Sequence, residues 1–108
     1  MDSTTEALNA LFDRIPRRHS QENVQEINSI LSAYEDLLVS IEAANAYYEK
    51  QVPVFFDQLD TVRAGIKKST DNKASKKNKD SFFDDASGTL KDSMQELIAM
   101  YCDGKQTA

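Results

Sequence analysis

With 108 residues, 40% of them apolar, and a net charge of −5, the chain is long enough for one domain with a modest core. Its acids outnumber its bases except in residues 67–79, which hold six bases and one acid; this excludes duplex nucleic acid as the main partner, because phosphate binding needs a broad basic face. Cys102 is the single cysteine, so an internal disulfide is excluded and a cytoplasmic setting is expected, with the nucleus as the alternative, while no apolar run approaches the roughly 18 residues of a membrane span.

The first predicted helix covers about residues 4–14. Ser3 and Glu6 have the spacing of a capping box, and Ala7, Leu8, Leu11, Phe12 and Ile15 make an apolar stripe. Pro16 ends it, because its ring blocks the continuing turn and the residue before it is pushed out of helical geometry. The connector Pro16-Arg17-Arg18-His19 is short enough to lay this helix back on the next one.

From Val24 to Ile66 apolar residues recur at alternating steps of three and four. Val24, Leu31, Leu38, Asn45, Val52, Leu59 and Ile66 share one heptad position, and Ile27, Tyr34, Ile41, Tyr48, Phe55 and Val62 the other. The spacing predicts one long helix over about residues 21–67, N-capped by Ser20. Pro53 interrupts its hydrogen bonding, so a kink is expected there; the unbroken heptad phase argues for continuity through it. Before the proline the stripe is widened by Ile30 and Leu37, after it by Phe56 on the other side. Each half should therefore pack against a different neighbour, the first helix on one and the last helix on the other.

Residues 68–80 contain no apolar side chain larger than alanine. Such a segment has nothing to bury against its ordering entropy, and it is expected to be a flexible basic linker. Phe82, Phe83, Ala86, Leu90, Met94, Leu97, Ile98 and Tyr101 then form a third stripe, over about residues 81–103. Gly88 weakens its start, Gly104 is a plausible stop, and the helix should fold back on the part of the long helix after Pro53. The fold class is all-α, an elongated helical bundle or coiled-coil hairpin in a single domain.

No glycine-rich phosphate loop is present. His19 and Cys102 have no carboxylate cluster at matching spacing, so no metal site, cofactor or catalytic residue is assigned, and a non-enzymatic protein is expected. Arg17-Arg18-His19-Ser20 has the form of a basophilic kinase site, which makes Ser20 a candidate phosphosite as well as a cap. Lys67, Lys68, Lys76, Lys77 and Lys79 suit a nuclear import signal, a weak contact with an anionic membrane surface, or a plain solubilising linker.

The seam is the main functional candidate. It predicts association with other helical chains, in a hetero-oligomer or oligomer, through Leu31, Tyr34, Leu38, Ile41, Asn45, Tyr48, Phe55 and Leu59. Asn45 at a central seam position would set register, and the Tyr34 and Tyr48 hydroxyls would need polar partners. Such a chain reads as an adaptor or scaffold subunit, or else as a small chaperone that shields an amphipathic helix of a client. A self-contained bundle that covers its own seam is the remaining alternative.

Overall fold

The computed structural model describes residues 3–16 and 18–107, with side chains described up to Tyr101. They form four helices and no strand: α1 (Ser3–Arg14), α2 (Gln21–Glu42), α3 (Ala46–Ser69) and α4 (Lys76–Thr107). α1 lies against α2 and α4, α2 against α3, and α3 against α4. Side-chain pairs give the directions. Arg14 meets Glu26, Glu35 meets Arg63, and Tyr48 meets Tyr101 while Gln58 meets Glu96, so each helix runs antiparallel to the one before it. α2 and α4 face each other across the core, where Tyr34 reaches Ser93. The bundle measures 48 × 23 × 17 Å.

The expected long helix is two helices. A single helix of about 45 residues would extend about 65 Å at 1.5 Å per residue, well beyond the 48 Å of the bundle. The chain turns at Ala43–Asn45. Ala43 and Ala44 close α2 through backbone bonds to Val39 and Ile41, and Asn45 opens α3 in an extended conformation, its Oδ1 accepting the Tyr48 N–H at 3.0 Å. An asparagine side chain satisfies an N–H that a new helix would otherwise leave open. Turning here lets the two half-seams cover each other. Asn45 is thus a half-buried cap rather than a buried seam amide.

Pro53 does not break the chain. It lies inside α3 on the exposed face, as does Glu49 one turn before it, and Val52 and Phe55 beside it are buried. Apolar anchoring on both sides holds the helix through the lost bond.

The expected linker shrinks to residues 70–75. α3 runs on to Ser69, which is buried and donates its hydroxyl to the Ile66 carbonyl at 2.6 Å. α4 starts at Lys76 behind Ser75, whose Oγ accepts the Asn78 N–H at 3.2 Å and whose carbonyl accepts the Lys79 N–H at 2.9 Å. Ordering this first turn costs little because helix formation is cooperative: once Phe83 is buried, each further residue adds a bond at little extra cost. For the same reason Gly88 does not delay the start, and α4 passes Gly104 to end at Thr107.

α1 packs on α2 and α4 on α3, as expected, but the two halves also pack on each other, α2 against α3, and α1 touches α4 as well. Of the thirteen heptad positions only Val24 and Asn45 escape full burial. Leu8, Leu11 and Ile15 add the α1 contribution, and Phe83, Leu90, Met94 and Leu97 that of α4. Gly65 of α3 lets α4 come close: a Cβ there would stand 3.1 Å from the Ala86 Cβ.

Candidate functional site

The seam residues proposed for association all lie within the chain's own bundle. Leu31, Tyr34, Leu38, Ile41, Tyr48, Phe55 and Leu59 are buried, and Asn45 is at the α2–α3 corner. Both tyrosine hydroxyls find the polar partner they need, but inside the chain. Tyr34 shares a 2.8 Å hydrogen bond with the Ser93 hydroxyl, and Tyr48 donates to the Tyr101 carbonyl at 2.8 Å while its ring stacks on Tyr101. Burial pushes the Tyr34 hydroxyl up to about 12, with the nearby Glu96 charge adding to the rise and the Ser93 bond opposing it. Ser93 was hidden in the sequence because serine carries no apolar signal, though its place between Leu90, Met94 and Leu97 puts it on the buried face.

With the seam covered, the apolar surface left open includes a groove between α1 and α2, besides the separately exposed Val39, Tyr47 and Val54. The groove is lined by Ala7, Ala10, Leu11, Ala33, Asp36 and Leu37. The antiparallel crossing sets the three alanines where larger side chains would close the gap, and Leu37 stays half-buried at one wall. Asp36 is the one charged side chain of the lining. Leu37 belonged to the widened stripe in the sequence; the alanines gave no sign of a groove, because only the packing of two helices makes one.

The Ser20 cap is as predicted. Its backbone is extended and its Oγ accepts the Asn23 N–H at 3.0 Å. The hydroxyl is exposed, on the first turn of α2, where a phosphate would meet free backbone N–H groups. Of the kinase-type tetrapeptide, Arg17 lies outside the described residues. His19 packs edge-on against Phe83, with ring centroids 5.6 Å apart, and its Nδ1 is 3.5 Å from Asp80 Oδ1. The Cys102 side chain lies outside the described residues.

The lysines fall into two places at one end of the bundle: Lys67 and Lys68 in the last turn of α3, and Lys76, Lys77 and Lys79 in the first turn of α4. Among the described residues, no His, Cys, Asp and Glu side chains gather into a group that would hold a metal ion, and no helix is long and apolar enough to cross a membrane. Comparison with protein-family models, curated proteins and solved structures found no match.

Proposed function

We propose that the chain is a non-enzymatic adaptor that assembles with another helical chain, and that the contact forms at the α1/α2 groove. The observation that carries this reading is the division of apolar surface. The seam is used by the chain's own core, while Ala7, Ala10, Leu11, Ala33 and Leu37 line an open channel between two helices. Small walls over a leucine floor suit the ridge of a partner helix with apolar side chains at steps of three and four. A lysine or arginine beside that ridge would meet Asp36. The single cysteine fits a cytoplasmic or nuclear place of action.

Shielding a client's amphipathic helix at the same groove is the second reading. It is favoured by the internal cover of the seam, which lets the chain stay folded between clients. The two differ in how long the complex lasts.

A photo-crosslinker at Ala10, on the groove rim, tests the site against one at Asp57, an exposed position of α3. The adaptor reading expects one dominant crosslinked chain from Ala10, lost with Leu37→Glu and absent from Asp57. Equal products from both positions, or indifference to Leu37→Glu, would remove the groove from consideration. A crosslinked chain that co-purifies at fixed ratio marks an adaptor, and one that exchanges within minutes marks a chaperone.

A further inference from the structure

Folding gathers basic residues that are far apart in the chain. The α1–α2 connector supplies Arg18, the last turn of α3 Lys67 and Lys68, the following turn Lys73, and the first turn of α4 Lys76, Lys77 and Lys79. These segments meet at one end of the bundle. His19 packs on Phe83 beside Asp80, one surface depression is bordered by His19, Gln21, Ser69, Thr70 and Lys79, and Lys68 Nζ stands 5.9 Å from the centre of the Phe82 ring. Residues 18–22 and 67–80 hold seven cationic side chains against three carboxylates, a balance of +4, so the rest of the chain carries −9 of the overall −5. Among the described residues none of the six lysines is in an ion pair, and no acid occupies the first turn of α4.

We propose that this basic end docks on an anionic lipid bilayer surface. The bundle would stand on its end, with the lysines reaching the headgroup phosphates and carboxylates. The shape of the charge distribution favours a planar partner over a rod. A nucleic acid lying along the 48 Å length would run beside the acidic flanks, whereas a flat surface met end-on touches only the basic end. The flanks then rise out of the roughly 8–10 Å layer in which surface charge acts. Three lysines at the positive end of α4 oppose its dipole, and an anionic surface turns that unfavourable placement to use. Attraction is electrostatic, without insertion, and therefore reversible by salt.

The test is sedimentation of the full chain with phosphatidylcholine vesicles, with and without about 30% phosphatidylserine, in about 50 mM and about 300 mM salt. Binding is expected only with the anionic lipid and mainly at the lower salt. Each lysine near such a surface contributes about fivefold, so Lys76→Gln/Lys77→Gln should weaken binding about 25-fold. Both side chains are exposed, and their neutralisation relieves the helix dipole, so thermal melting should show an intact fold. Lys50→Gln, near the opposite end at the start of α3, should bind like the unaltered chain. No binding to anionic vesicles at low salt, or no loss in the double variant, would overturn the proposal. Tighter binding to single-stranded RNA than to vesicles at equal salt would do the same and assign the basic end to nucleic acid. None of these outcomes depends on the α1/α2 groove.

Discussion

Asn45→Leu separates a cap from a seam residue more sharply than any other single change. If residue 45 were a buried amide in a continuous helix, leucine would raise stability by adding apolar burial. In the structure Asn45 is half-buried in extended geometry, φ −164° and ψ 172°, and its Oδ1 takes the Tyr48 N–H at 3.0 Å. Leucine cannot accept that bond, and loss of an asparagine cap costs about 1 kcal/mol, within a range of about 0.5 to 2. In a chain of this size that is a fall of about 4 °C in Tm. The cap also sets the start of α3, and with it the position of Tyr48, whose hydroxyl donates to the Tyr101 carbonyl. Urea and thermal melts followed by circular dichroism, with sedimentation to check the mass, would measure the effect. Asn45→Asp should keep the midpoint, since aspartate caps as well and favours the positive helix end. A higher midpoint for Asn45→Leu at unchanged mass would refute the reasoning and restore the continuous helix.

Two glycines should respond with opposite signs. Gly88→Ala should stabilise by up to about 1 kcal/mol, because a Cβ there meets nothing within 4 Å, whereas Gly65→Ala should destabilise, because its Cβ would press on Ala86 at 3.1 Å and move α4 away from α3; Ala86→Gly should then relieve Gly65→Ala in the same melts. Tyr34 should ionise late, since burial raises its hydroxyl from 10.0 to about 12. Its contribution is fully present below pH 10 and lost as pH rises through 12, about 2 to 3 kcal/mol in all; absorbance titration near about 295 nm should show a late component that Tyr34→Phe removes, and an identical titration curve near pH 12 in Tyr34→Phe would count against the buried hydroxyl. Ser20→Ala should cost about 1 kcal/mol through loss of the α2 cap, and phosphorylation of Ser20 should raise helicity; equal melts for all three forms would dismiss the cap.

Helical periodicity reports the angle at which a residue faces, and that much was legible from the sequence. Every seam residue except Val24 and Asn45 is buried, the stripes from Leu8 to Ile15 and from Phe83 to Leu97 are core, and Ser20 caps α2. Periodicity does not report length. A heptad phase that runs unbroken from Val24 to Ile66 is equally served by one long helix or by two that fold together, because in both cases the same side chains face apolar neighbours. The choice was made by local bonds at Ala43–Asn45 and by the mutual cover that a hairpin allows. Pro53, the more conspicuous interruption, was outweighed by buried Val52 and Phe55 beside it.

The candidate sites divide in the same way. Sequence alone determined which residues are apolar, which are charged and which helix face each occupies, since these follow from residue type and the 3.6-residue turn. Only tertiary structure decided that the seam is covered from within, that three alanines and Leu37 leave a groove between α1 and α2, and that Arg18 joins six lysines at one end. Each of those depends on where separate helices cross, and crossing is set by the whole core at once, a quantity that no window of sequence contains.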